Sequence, residues 1–200
     1  MKHIIKQVPP RPFEDWKQAN PTATYEDLSG EPKRSVRVSL MNEQHGICCY
    51  CECRITNDNF HIEHFKPKGL TLFKSLQLDY NNLHACCEKI PNGGTEEHCG
   101  HKKGITWDNK LVSPLEDDCE EHFSYTLDGK IQGADERGTT SIQILNLNSA
   151  LLIASRYALL RFFQELPDDD KQYEIDSHLN ESATWFGEFF TMIHKLREVI

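Results

Sequence analysis

No long hydrophobic run occurs in this sequence. Its opening residues, MKHIIKQVPPRPF, contain no apolar stretch of signal-peptide length, and nothing later approaches the ~20 residues that cross a bilayer. That absence argues against export and against a membrane partner, and leads to the expectation of a cytoplasmic protein. A repeat period is also missing, which argues against solenoid and propeller architectures. Excess positive charge is lacking too: the formal net charge is −9, the wrong sign for a chain that grips polyphosphate with its whole surface. Without an export signal, the eight cysteines have no oxidising compartment to make them disulfides.

What is present is concentrated. Seven of the eight cysteines fall between Cys48 and Cys99, in CCYCEC, ACC and HCGH, with HIEH at 61–64 between the first two groups. Adjacent cysteines pair poorly with each other, whereas C-x-x-C on a tight turn aims two thiolates at one tetrahedral ion. Metal ligation therefore accounts for them better than bridging does. Charge is also unevenly spread: residues 1–53 carry seven basic and seven acidic side chains, 54–110 carry eight and seven, and 111–200 carry seven and seventeen. The acid lies outside the cysteine block, where bound metal would add positive charge against a phosphate backbone. The acidic C-terminal half is expected to face solvent or a protein partner.

Two hundred residues suffice for one compact unit with a sizeable core. Residues 1–46 read as an extended segment punctuated by Pro9, Pro10, Pro12 and Pro21, with at most a short helix near Phe13–Ala19. A helix follows over Lys33–Gln44 and ends at a left-handed Gly46. Residues 47–104 read as the chemical core. Ile47–Ile55 is expected as the first strand and CCYC corner of a β-hairpin, Asn59–Phe65 as its second strand, Glu88–His98 as a flexible loop, and Cys99 as the start of a short helix. Residues 105–200 read as a hairpin plus helices packed on that core. Phe123, Tyr125 and Leu127 alternate before an Asp128-Gly129 turn, Ile131 lies on the return, and an apolar run spans Ile142–Leu147. Asn148 and Ser149 cap a buried helix over Ala150–Leu166 that stops at Pro167, and a last helix spans Ala183–Val199 with a core-facing aromatic stripe.

The three cysteine groups supply one structural zinc, with Cys48 and Cys51 as the first pair and Cys49 and Cys53 as alternatives to it, Cys99 as a further ligand, and Cys86 competing with Cys87 for the remaining place. Glu63-His64 then needs a separate explanation. A carboxylate holds a hard cation such as Mg²⁺ while a neutral imidazole takes a proton from water, and phosphodiester hydrolysis uses both. Asn82 is placed to orient that base and His101 to complete the ion's site.

The run C-x-Y-C-E, E-H-F-x-P-K, N-L-x-x-x-C and C-G-H-x-K over residues 43–104 resembles the HNH endonucleases of ββα-metal fold. More narrowly it is similar to the PtuB-type nuclease subunits of Septu and retron-associated anti-phage defence. The resemblance implies an α+β fold: a zinc-stapled ββα-metal HNH core embedded in a mostly helical domain with a small additional β-hairpin. It implies His64 as general base, Asn82 as the middle residue and His101 as the third, with His98 its competitor. Glu63 and His101 would hold catalytic Mg²⁺ or Mn²⁺, Cys48, Cys51, Cys87 and Cys99 would hold Zn²⁺, and Lys102 and Lys103 would contact phosphate. The partners implied are a nucleic-acid substrate, a PtuA-like ATPase subunit and a retron reverse transcriptase with its msDNA. Three features depart from many relatives: eleven residues split Cys87 from Cys99, Gly100 stands where some place the third catalytic residue, and Glu63 replaces the commoner Asp.

Other chemistries fit less well. His61-x-Glu63 with C-x-x-C touches the zinc-deaminase signature, but there the H-x-E precedes a P-C-x-x-C, and here the C-x-x-C comes first without the proline. A dithiol redox enzyme uses two cysteines, not three groups of them. A zinc-stapled adaptor without activity is the contrasting reading. DNA is the substrate implied by the family and a structured RNA such as tRNA the alternative, since no basic stripe or interleaved aromatic set selects between them.

Overall fold

The computed structural model of the chain describes residues 1–88 and 96–200. Pro10 precedes α1 (Arg11–Ala19), and Pro12 sits in its first turn, where a missing N–H costs nothing; Phe13 is the residue this helix buries. Helix α2 (Gly30–Glu43) begins three residues before the sequence expectation and buries Val36, Leu40 and Met41. Its end closes with two reversed hydrogen bonds, Gly46 N–H to Met41 C=O and His45 N–H to Asn42 C=O, each 3.0 Å. Gly46 is left-handed at φ +71°, as anticipated, and His45 shares the conformation at +49°. A Cβ on Gly46 would lie 2.0 Å from the Trp185 ring, so close packing also demands glycine there.

The central hairpin differs from expectation. Ile47–Ile55 is not the partner of the following strand: it is a knuckle closed by one bridge, Ile47 to Arg54, with Cys48 N–H to Cys53 C=O at 2.9 Å and Glu52 N–H to Cys48 C=O at 3.1 Å. The turn consumes its own backbone groups and leaves no edge for a long ladder. Instead β1 (Phe60–His64) pairs antiparallel with β2 (Leu83–Cys87), register Phe60↔Cys87 through His64↔Leu83. The two strands are joined by an excursion containing 3₁₀ turns at Thr71–Leu76 and Tyr80–Asn82. The short helix α3 (Cys99–Lys103) opens at Cys99, as expected. Most of the expected loop over Glu88–His98 lies outside the described residues.

Buried Gln44 fastens these pieces. Its Nε2 donates to the carbonyls of Ile47 and Ala85 (2.9 and 2.8 Å), and its Oε1 accepts from Ala85 N–H at 2.7 Å. The end of α2, the knuckle and β2 thus hang on one amide.

Downstream, β3 (Phe123–Tyr125) and β4 (Ile131–Gly133) form the anticipated hairpin. The sequence reading had no helix for α4 (Glu136–Leu145). Its first half, ERGTTS, is a poor helix former, and the Asp135 side chain capping Gly138 N–H at 2.8 Å starts it. Ser149 caps α5 (Ala150–Glu165), which ends before Pro167. Polar α6 (Asp168–His178), also unanticipated, buries Ile175 and carries three aspartates in the first turn, where the helix dipole favours them.

The final helix is shorter than expected. α7 covers Phe190–Leu196, and Phe189 before it is left-handed at φ +52°. The preceding backbone is spent on the knuckle region: Phe186 N–H donates to His45 C=O and Phe189 N–H to Glu52 C=O. Phe186, Phe189, Phe190 and Ile193 are buried, so the stripe does serve the core. One cluster of buried side chains runs from Phe13 and Leu40 through Ile62 and Leu83 to Leu160 and Ile193. Mostly helices with two small antiparallel hairpins, the chain is α+β, and no described helix is long and apolar enough to cross a membrane.

Candidate metal and catalytic site

The knuckle, the end of β2 and the start of α3 bring four thiols together. The Sγ atoms of Cys48, Cys51, Cys87 and Cys99 all lie within 4.8 Å of one another, and all four side chains are inside. Cys51 and Cys87 are 3.8 Å apart. Zn–S bonds of about 2.3 Å at tetrahedral angles put sulfurs at about that separation, so the donor set fits Zn²⁺. Burial alone would raise the Cys48 thiol, but hydrogen bonding from the thiols of Cys49, Cys51, Cys86 and Cys87 outweighs it and holds Cys48 well below its ordinary value. Cys86 faces differently: its Sγ is 3.9 Å from that of Cys48 and accepts Gly100 N–H at 3.2 Å, and with Cys48 and Cys49 it forms a second, three-thiol group. His98 is on the sulfur side, its Nδ1 3.2 Å from Cys99 Sγ.

One turn further along α3, His101 faces the other way, toward β1. Its ring centroid is 4.6 Å from that of His61, and its Nε2 is 2.5 Å from Glu88 Oε1. His61 Nδ1 is 3.6 Å from Glu88 Oε2, while His61 Nε2 is 3.5 Å from Glu63 Oε2. Strand alternation explains the pairing, since residues 61 and 63 share a face. Glu63 is buried, with Oε1 accepting from Lys103 Nζ at 2.7 Å and from Tyr50 O–H at 3.3 Å. Burial opposes its ionisation, but His61 and Lys103 outweigh burial and hold its pKa below the ordinary carboxylate range. Gly100 has a physical reason: a Cβ there would lie 2.7 Å from both Glu63 Oε2 and His61 Nε2, so no side chain fits where α3 crosses β1.

His64, at the end of β1, turns toward a different set of neighbours. Its Nε2 is 3.0 Å from the Gln77 carbonyl, and Tyr25 packs edge-on with ring centroids 4.5 Å apart. A carbonyl only accepts, so Nε2 carries the proton and Nδ1 is the basic nitrogen. Burial lowers its pKa to about 4, which keeps the ring neutral at pH 7. Asn82 reaches His64 through the backbone. Its Oδ1 accepts Lys66 N–H at 2.7 Å, and its Nδ2 donates to the carbonyls of Lys66 (3.0 Å) and Leu76 (3.2 Å). These bonds pin both ends of the excursion that delivers Gln77 to His64.

Lys103 requires a correction. Expected to contact phosphate, it is 1% exposed, ion-paired with Glu63 and donating to His64 C=O at 3.0 Å. Its ammonium has no path to a substrate in this arrangement; Lys102 is exposed. The sequence reading also passed over His61 and Glu88 as site residues. The H-x-E spacing on a strand was the available signal for His61. Glu88 had none, because its place beside His101 depends on the β1–β2 register.

No family model matches the chain. Curated relatives do. Over 124 residues it is 31% identical to the Septu protein PtuB of Bacillus thuringiensis, covering 58% of this chain and 42% of that one. Over 133 residues it is 34% identical to a Vibrio cholerae protein named "Retron Vc95 putative HNH endonuclease", covering 62% of each. A further match, 26% over 208 aligned positions, covers 82% of this chain and 80% of the Escherichia coli "Retron Ec83 putative HNH endonuclease". The chain resembles PtuB and the retron HNH proteins. It spans less than two thirds of the length of the first two relatives.

Proposed function

We propose that the chain is a metal-dependent endonuclease that hydrolyses nucleic-acid phosphodiester bonds, with DNA as substrate, acting in the cytoplasm in anti-phage defence alongside an ATPase partner. The observation that carries this reading is the buried, neutral His64, whose Nε2 is committed to the Gln77 carbonyl, next in sequence to the carboxylate–imidazole cluster of Glu63, His61, Glu88 and His101. His64 Nδ1 takes the proton from the attacking water. Asn82 and Gln77 hold the ring so that Nδ1, and not Nε2, is the base. Glu63 and His101 stand at the site of a divalent cation, Mg²⁺ or Mn²⁺, which when bound stabilises charge on the phosphoryl group and the leaving oxygen. Cys48, Cys51, Cys87 and Cys99 hold Zn²⁺ as the frame on which α3 is positioned. The resemblance to Septu and retron proteins supports the defence setting, and the ATPase partner is what the family resemblance implies.

His64→Ala tests it. The variant should retain its zinc and lose cleavage of plasmid DNA in Mn²⁺ or Mg²⁺, assayed with and without the co-expressed ATPase. Undiminished cleavage removes His64 as base. Zinc-dependent folding with no cleavage by the complete complex would leave the zinc-stapled adaptor as the better reading.

A further inference from the structure

We infer that the divalent cation is held directly by His61, Glu88 and His101, and that Glu63 is not a ligand but the residue that positions His61. This rests on the reading above that the site binds a cation, and it refines the role of Glu63 there. Three observations lead to it. His61 Nδ1 and His101 Nε2 are buried and make no directed hydrogen bond, yet both approach the Glu88 carboxylate, at 3.6 and 2.5 Å. One ligand atom from each of the three residues falls within 4.8 Å of the others. Glu63 lies deeper: its Oε1 accepts from Lys103 and Tyr50, and its Oε2 lies 3.5 Å from the far edge of the His61 ring, at Nε2.

The His61 ring thus has two different edges. Nε2 faces the carboxylate of Glu63 and Nδ1 faces Glu88, the arrangement in which a carboxylate fixes the tautomer and orientation of a metal-binding imidazole. Gly100 lets α3 approach closely enough for His101 to join from the opposite side. Two imidazoles and one carboxylate make a borderline donor set. Such a set favours Mn²⁺ and the later first-row ions, whereas Mg²⁺ selects an all-oxygen shell.

The test uses the zinc-loaded full chain titrated with Mn²⁺, followed by electron spin echo envelope modulation of the bound ion. Wild type should bind Mn²⁺ more tightly than Mg²⁺ and show nitrogen couplings from two imidazoles. His61→Ala should show one, with an affinity loss beyond the roughly 10–100-fold of an outer-shell change. Glu63→Gln, with zinc content as the fold control, should keep two couplings and lose about 10–100-fold in affinity. Two couplings in His61→Ala, or a coupling lost in Glu63→Gln, overturns the assignment while leaving the nuclease reading intact. Wild type that binds no Mn²⁺ and cleaves nothing with its partner overturns both.

Discussion

Asn82→Ala is the substitution whose consequence follows most directly from the structure. The side chain is 5% exposed and makes three hydrogen bonds, all to backbone, at 2.7, 3.0 and 3.2 Å. At about 1 kcal/mol net for each bond, the loss is about 3 kcal/mol, and it grows if Lys66 N–H stays buried without an acceptor. For a chain of this size that corresponds to a fall of roughly 6–12 °C in Tm. The functional effect should be larger than the stability effect. The released segment carries Gln77, whose carbonyl fixes the His64 tautomer, and a base displaced by about 1 Å costs on the order of 100-fold in rate. The assays are denaturant unfolding with zinc saturating and cleavage kinetics below the new Tm, where kcat should fall and KM change little. Asn82→Asp keeps the acceptor for Lys66 N–H but sets a carboxylate against two carbonyls, and should do no better than alanine. A stability change under about 1 kcal/mol together with kcat within about twofold of wild type would refute the link from Asn82 through the excursion to His64.

Three further outcomes are expected. Cys87→Ser should lose zinc by elemental analysis while Cys86→Ser and Cys49→Ser retain one equivalent, because only Cys87 belongs to the four-thiol group. Burial pushes His64 down to about 4 and, with Lys6, Lys103 and His64 nearby, pushes His84 well below its ordinary value. The unfolded chain then binds protons that the folded chain refuses, so stability should fall as pH drops from 6.5 toward 4. The slope is up to about 1.4 kcal/mol per pH unit for each histidine, and His84→Leu should flatten it by one such share in paired denaturation curves. Lys103→Met leaves the Glu63 carboxylate buried without its ammonium and should cost about 3–5 kcal/mol, whereas Glu63→Gln with Lys103→Met together should recover much of that in a double-mutant cycle.

The place of the candidate site, where the four thiols come together, was more legible in the sequence than its topology. Cysteine spacing and the Glu63-His64 pair marked the region because ligand chemistry constrains residue type directly. Strand pairing was misread because Ile47–Ile55 and Asn59–Phe65 are neighbours in sequence, and a short linker normally means a hairpin; the thiol knuckle uses up the first segment's backbone, so β1 waits for β2. Helices α4 and α6 were invisible for a different reason. α6 buries Ile175 alone, and two of the three residues α4 buries are Gly138 and Ser141, so neither leaves an apolar period to read, and caps and first-turn aspartates carry the signal instead. The last helix was overdrawn because Phe186 and Phe189 keep helical spacing by coincidence, one bonding to His45 and the other to Glu52. Glu88 could not be found without the register.

The two halves of the site meet on α3, and that fixes how they depend on each other. The helix is five residues long, far below the length at which an isolated helix is stable in water. Its position must come from what it is tied to: at its start Cys99 among the thiols and Gly100 N–H on Cys86 Sγ, and at its end Lys103 on Glu63 and the His64 carbonyl. His101 lies two residues beyond Cys99, so the imidazole proposed for the cation inherits its place from sulfur on the opposite side of the helix. The same holds for β2, whose Cys87 joins the thiols and whose next residue, Glu88, reaches both His61 and His101. On the proposed reading, cation affinity would therefore depend on thiol ligation even though the two groups share no ligand. A change that loosens the four thiols, such as Cys87→Ser, should weaken Mn²⁺ binding in a direct titration, although no thiol is itself a ligand of that ion.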